Sequence, residues 1–418
     1  MLGSGRVPLM IFVFLVLAVC SLQSFDKLYE GYDKKLLVKY RTSSAEYRYW
    51  LFEAREGSEK APLIFWINGI PDQPPIFGTS AGMSPCKLKK DLSCKPNIFA
   101  WNQHAHVLFF DLVKYITLIN QQYSVDKARI YPFLFRFIRD FCQEYPHYVR
   151  AGIHIFGQSY DSIVAAVVGN MIFGFRDEKQ DIKLLSVGLG SPIIDMRVQM
   201  KGYPETMKGI QKDIHVLETM KRKITNLHTS TRECAGIKKH AECKHFAETL
   251  FNVAIKPYTT IYPSLLDYRA MGYNKINRLI QKYKYLLLNT TSSTADSNYT
   301  PGTLLSHGEM CQFQQNIFES HSEEIKTLVN AKIPVLIFSG EYDYIANHHG
   351  MLALLNEMNW YGPYLINRVK FTSLPVYKRW SAYSLTYVLI KNAGHLTQVD
   401  QPETMSFVIK DWITQTIK

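Results

Sequence analysis

The apolar positions of this chain fall into two patterns. Short runs are apolar almost without interruption: Pro62–Ile67, Ala105–Asp111, Ile153–Phe156, Ile182–Gly190, Ile333–Gly340 and Leu385–Lys391. Runs of this length, each closed by glycine or polar residues, are what strands buried on both faces of a parallel sheet require. Leu36–Tyr40 and Glu46–Glu53 alternate instead, with Tyr47, Tyr49 and Leu51 on one side and Arg48 and Trp50 on the other, as paired strands with one wet face do. Helical spacing governs Ala128–Gln143, where Ile130, Leu134, Ile138 and Phe141 share a side and Tyr145-Pro146 ends the element. It governs Pro402–Thr416 too. Between roughly Met196 and Ser306 the strand–helix alternation stops, and the stretch is helical, basic and aromatic, with a polar loop from Thr290 to Thr300. The pattern predicts an α/β protein, a mixed and mostly parallel sheet flanked by helices, carrying a helical insertion that lies over the sheet as a lid.

Candidate chemistry sits where these strands end. Ile153–Phe156 runs into Gly157-Gln158-Ser159, and Ile163–Val168 follows as a small-residue helix. A strand, a sharp turn with serine at its tip and a helix make the setting of a nucleophile elbow, and Gly157 lets strand and helix approach. Asp343 and His395 each lie just past a later apolar strand. The order Ser, Asp, His is that of α/β hydrolases. Serine is a weak nucleophile until a base takes its proton; His395 is the candidate base, and Asp343 the group that fixes its tautomer and steadies its cation. His104 and His106 share a strand face, but no third ligand accompanies them, so they read as structural and no metal is expected.

Composition narrows the setting. Met1 to about Ser24 places Arg6 before an apolar run from Val7 to Cys20, which reads as a cleaved secretory signal peptide. The remaining cysteines are Cys86, Cys94, Cys142, Cys234, Cys243 and Cys311, an even set without a C-x-x-C pair, which suggests disulfides. Cys142, on the apolar helix, reads as a buried thiol, and Cys234 and Cys243 as a local bridge. Asn289 and Asn298 head glycosylation sequons. The net charge of +12 is scattered, denser only from Lys221 to His245, and reads as a solvated helical face, so nucleic acid is not an expected partner.

These motifs together resemble the serine carboxypeptidases over nearly the whole mature chain. Trp66-Ile67-Asn68-Gly69 resembles the family's Trp-Leu-Asn-Gly-Gly-Pro-Gly-Cys-Ser-Ser, Trp101-Asn102 to Asp111 its Trp-Asn strand, and Gly157-Gln158-Ser159-Tyr160 its Gly-Glu-Ser-Tyr. Ser339 to Asn347 resembles Gly-Asp-x-Asp-x-Ile-Cys-Asn, and Ala393-Gly394-His395 with Asp400-Gln401-Pro402 resembles the histidine block. The resemblance implies an α/β-hydrolase fold with a helical lid. It implies release of C-terminal residues from a peptide substrate, without a cofactor, by Ser159, Asp343 and His395. It also implies oxyanion donors at the backbone of Ile70 and Tyr160, and substrate-carboxylate binding by Asn68 and Gln158. Departures stand beside the match. Ile70 replaces a glycine, Pro71 to Pro75 replaces Pro-Gly-Cys-Ser-Ser, Gln158 replaces a glutamate, and a second pocket glutamate falls at Gly82. Asp161 and Ser162 replace small residues after the nucleophile. The family cysteine matching Cys311 loses its usual partner, which is Gln73 here, so a rewired bridge is expected, with Cys86 or Cys94 as the partner of Cys311 or those two paired together. Two alternatives stay open: a catalytically impaired member with a binding role, and an esterase or acyltransferase on the same fold. The expected layout is a signal peptide over 1–24, a hydrolase core over 25–195 and 307–418, and a lid over 196–306. The expected location is the secretory pathway, secreted or lysosomal/vacuolar, without stable membrane insertion and with a homodimer left open.

Overall fold

The computed structural model describes residues 37–43, 45–68, 82–88, 94–111, 116–119, 122–125, 127–175, 182–230, 248–259, 265–269, 319–359 and 370–417. The segment expected to be a signal peptide, Ile70, Asn289, Asn298, Cys234, Cys243 and Cys311 lie outside the described residues.

Each of the six short apolar runs read as buried strands falls on one. β1 (Leu37–Ser43) and β2 (Ala45–Phe52) form an antiparallel pair, followed by β3 (Leu63–Asn68). A small hairpin of β4 (Cys86–Leu88) and β5 (Cys94–Pro96) precedes β6 (His106–Asp111), and a second one joins β7 (Ile116–Ile119) to β8 (Gln122–Val125). Then come β9 (Ile153–Gln158), β10 (Leu184–Gly190), β11 (Val335–Gly340), β12 (Lys370–Ser373), β13 (Tyr377–Ala382) and β14 (Leu385–Ile390). The main sheet has ten strands in the order β1-β2-β6-β3-β9-β10-β11-β14-β13-β12. From β6 through β14 neighbours run parallel; only the two flanks are antiparallel.

Register decides where function can sit. Ile67 pairs with Gly157, Gln158 with Gly190, Gly190 with Phe338 and Gly340 with Ile390, so the carboxyl ends of five central strands line one edge of the sheet. Loops leaving that edge converge, which is where open α/β sheets place ligands.

Helices cover both faces. α1 (Lys127–Glu144), α2 (Asp161–Gly174), α4 (Ser322–Asn330) and α5 (His348–Glu357) pack on one, and α6 (Pro402–Thr416) on the other; α3 (Ile214–Ser230) belongs to the inserted region. The stripe expected on α1 is the one buried, with Ile130, Leu134 and Ile138 each 1% exposed and Phe141 3%. Each such side chain contributes about 1.5–3 kcal/mol on leaving water, which outweighs the local propensities of a segment rich in aromatic residues. A third cluster, with Met196, Met200, Tyr203, Met207, Met220, Ile224, Ala254 and Tyr258, is centred on the insertion and takes in Tyr344 and Ala346 of the sheet's own loops. Among the described residues, no helix is long and apolar enough to cross a membrane.

Candidate active site

Ser159 follows β9 directly, and its φ of 59° lies in the left-handed region. A non-glycine residue holds that conformation only where its surroundings over-determine it. They do so here. The Ser159 N–H donates to the Gly190 carbonyl at 2.7 Å, and its own carbonyl accepts from Ser162 N at 3.2 Å. The Ser162 hydroxyl lies 3.0 Å from the Gly157 carbonyl and 3.2 Å from that of Gly190, stapling both sides of the turn. At Gly157 any side chain would collide with the backbone, since a Cβ would fall 2.1 Å from the Asp161 carbonyl. Ser162, which departs from the family pattern, therefore supports the elbow. Tyr160 caps α2, and its N–H is among the first-turn donors for which a helix supplies no acceptor of its own.

Asp343 and His395 come from different strands and meet. Asp343 stands three residues past β11 and His395 five past β14. Asp343 Oδ2 and His395 Nδ1 are 2.7 Å apart, with the side chains 0% and 2% exposed. The other carboxylate oxygen accepts from Ala346 N at 3.1 Å, so the carboxylate cannot rotate freely. With an acceptor on Nδ1, that nitrogen carries the proton and Nε2 is left as the basic atom. Burial, with the Asp343 charge adding to it, holds the Tyr203 hydroxyl well above the usual tyrosine range. The couple thus sits among neutral phenols.

The carboxylate-binding positions are arranged differently from what the resemblance implies. Gln158 is 2% exposed, and its Nε2 donates to the backbone carbonyl of His395 at 2.8 Å. The Ser191 hydroxyl donates to the same carbonyl, also at 2.8 Å. The amide is therefore engaged on the loop of the base, and its Oε1 is a buried acceptor with no hydrogen-bond partner, unsuited to a carboxylate. Gly82 has a φ of +86°, and a Cβ there would lie 2.3 Å from the Gln398 carbonyl. The backbone at that position excludes the glutamate of the family pattern. Asn68 ends β3, paired with Asp111.

Asp161 is buried at 1% exposure in the first turn of α2, where the helix dipole favours a carboxylate. Behind burial, its charge is one of the causes that raise the Tyr131 and Tyr160 hydroxyls, which places it in the neighbourhood of those phenols. His106 accepts from Ala54 N at 3.1 Å through Nδ1 and reaches the Ser58 carbonyl at 2.9 Å through Nε2, a structural role. His104 pairs with Glu56 at 3.2 Å. No group of metal-ligating side chains occurs among the described residues. Cys142 is a buried free thiol pushed up to about 12 by burial, and Cys86 is disulfide-bonded.

One contributor left no motif in the reading of the sequence. Residues 265–269, from the inserted region, lie across the loops of Asp343 and His395. His395 N donates to the Leu266 carbonyl at 2.7 Å, while Tyr344 N and Ile345 N both donate to that of Leu265 at 3.2 Å. Signals were present in Asp267 and Arg269, a charged pair two residues apart, but nothing local says what they hold.

A strained serine on an elbow and a buried carboxylate–imidazole couple, gathered at one edge of a parallel sheet, are the arrangement of an α/β-hydrolase fold. The family model for serine carboxypeptidase matches residues 23–415, and the chain belongs to that family. Carboxypeptidase Y homolog A of Fusarium vanettenii is 23% identical over 394 residues, covering 87% of this chain and 71% of the relative. The protein of that name from Leptosphaeria maculans is 24% identical over 398 residues, covering 87% and 70%. A crystal structure of a prohormone-processing carboxypeptidase from Saccharomyces cerevisiae superposes with a TM-score of 0.70 at 16% identity, covering 90% of this chain and 88% of the other, and shares the fold.

Proposed function

We propose that this protein is a serine-type carboxypeptidase that removes C-terminal residues from peptides, with Ser159 as nucleophile, His395 as base and then acid, and Asp343 as the group orienting it. The observation that carries the assignment is the 2.7 Å contact of Asp343 with His395 at the sheet edge where Ser159 sits in its left-handed turn. Ser159 Oγ attacks the scissile carbonyl while His395 Nε2 takes its proton. The imidazolium is steadied by Asp343 and returns that proton to the departing amino acid's nitrogen, leaving an acyl-enzyme. Water, deprotonated by the same nitrogen, then releases the shortened peptide and regenerates the serine. The developing oxyanion is assigned to the backbone N–H groups of Tyr160 and Ile70, and the substrate carboxylate to Asn68. Loss of one oxyanion donor costs roughly 10²–10³ in rate.

The same reading treats 196–306 as a lid over the cleft, Asn289 and Asn298 as glycosylated, and the secretory pathway, with secreted or lysosomal/vacuolar delivery, as the location. The apolar leader and the sequons support that route. A fluorophosphonate tests the assignment, since it needs a working triad but no particular substrate. Mass spectrometry is expected to find the adduct on Ser159 and none after Ser159→Ala. An intact, folded protein that takes up no label would overturn the reading in favour of a binding role.

A further inference from the structure

We propose that Arg269, with Asp267, is a positioning residue that holds the Asp343 and His395 loops at their working separation; this rests on the triad assigned above. The two loops touch directly at three points: Tyr342 N donates to the Ala393 carbonyl at 2.8 Å, Asn392 N to Glu341 Oε2 at 3.0 Å, and Asp343 Oδ2 meets His395 Nδ1 at 2.7 Å. Arg269 joins them from above. Its fork is bidentate on Asp267, Nε to Oδ1 at 3.0 Å and Nη2 to Oδ2 at 2.5 Å, and Asp267 is fully buried at its side chain. With the fork fixed, Nη1 donates to the Asn392 carbonyl at 2.8 Å, on the His395 loop. Nη2 also faces Asp400 Oδ2 at 3.5 Å, and that oxygen accepts from Gly394 N at 2.8 Å, one residue before the base. The guanidinium plane lies over the Tyr342 ring, 4.4 Å from its centroid and one residue before the acid. One planar cation therefore contacts the neighbours of both Asp343 and His395.

Packing leaves the clamp little slack. A Cβ at Gly394 would fall 2.5 Å from the Leu266 carbonyl and 2.7 Å from Asp267 Cβ, so the His395 loop is pressed against the segment that carries Arg269. Tyr268 N donates to the Tyr342 carbonyl at 3.1 Å, closing the other side. A lysine would keep the charge but has neither the fork nor the plane. Displacing a catalytic group by an ångström costs on the order of 100-fold in rate, while none of the atoms of the clamp is among those assigned to peptide binding above.

The test compares the full-length wild type with Arg269→Lys and Arg269→Gln, using a blocked dipeptide with a free carboxylate. kcat is expressed per Ser159 that a fluorophosphonate labels at completion. Both variants are expected to lose about 10- to 100-fold in kcat per labelled site, with KM within about threefold and the labelling rate falling in parallel. A merely structural role would lower the labelled fraction and the melting temperature while leaving kcat per labelled site alone, and that result overturns the clamp. Arg269→Lys decides the matter if the Gln variant does not fold, because wild-type kcat in the Lys variant is enough to overturn it. A wild type that does not label at all overturns the triad assignment first, and the clamp falls with it.

Discussion

The side-chain amide of Gln158 donates to the backbone carbonyl of His395 at 2.8 Å, so the residue before the candidate nucleophile anchors the loop of the candidate base. A glutamate there can make this bond only as the neutral acid. Ionised, it would set an anion against a carbonyl in a buried site, which raises its pKa and weakens the anchor. The ratio of kcat/KM for Gln158→Glu to that for wild type is expected to fall as pH rises through the carboxyl's ionisation, by about 10-fold, equivalent to ~1.4 kcal/mol. A ratio that stays flat from pH 4.5 to 8 would show that the amide's contact with His395 does not matter to the reaction.

Asp343→Asn keeps the shape of the buried couple but presents an amide to Nδ1, which favours the tautomer with its proton on Nε2. Expected is a fall of roughly 10³–10⁴ in kcat, with little change in fluorescence-monitored unfolding. Steady-state kinetics beside a urea titration separate the two.

Gly82→Glu restores the acid of the family pattern in sequence only. At φ +86°, with the Gln398 carbonyl 2.3 Å from the new Cβ, the substitution is strained whatever the side chain does. A loss of about 2–5 kcal/mol is expected from backbone strain and overpacking together. Equal urea midpoints for variant and wild type would sink this account of the departure.

His154 is buried without a charged partner, Nδ1 lying 2.7 Å from the Ser186 hydroxyl, and burial pushes it down to about 3; His348 is likewise lowered by burial to about 4. The unfolded chain therefore binds more protons than the folded one below about pH 6.5. Stability from these histidines is fully present above that pH and drains away as the pH falls toward 3–4. At pH 4.5 the His154 share amounts to about 3 kcal/mol. Between pH 7 and 4.5 the melting temperature of wild type is expected to fall more steeply than that of His154→Leu. Parallel curves would rule out the histidine as a source of acid sensitivity.

Cys142, with its thiol pushed up to about 12, is protonated and enclosed at any ordinary pH. Iodoacetamide at pH 8 is expected to leave it unmodified in the native protein and to alkylate it in urea without prior reduction. A peptide map that finds Cys142 in a disulfide contradicts this.

How much of this was legible in the chain follows from the range of each interaction. The central strands announce themselves because a strand covered on both faces must be apolar at every position, as Val335 to Phe338 are. The α1 stripe of Ile130, Leu134, Ile138 and Phe141 is set by helical spacing alone. The candidates Ser159, Asp343 and His395 are readable because each lies in the turn or loop that follows such a strand, and parallel register then brings the strand ends to one edge. The flanking strands β12 and β13 were not readable: Lys378, Arg379, Trp380 and Ser381 are only partly covered, so no continuous apolar run marks them. Contacts between distant segments were beyond local pattern altogether. Nothing near Gln158 in sequence says that its amide meets a carbonyl 237 residues away, and nothing near Arg269 says that it lies over Tyr342. The first partner was chosen by the assembly of the sheet and the second by the packing of the inserted region against it, because a buried donor or charge takes whichever acceptor the assembled fold places within reach. The sequence by itself therefore determined the central strands, the order of the candidate residues Ser159, Asp343 and His395 along them, and the family. Tertiary structure alone decided which groups hold that machinery in place.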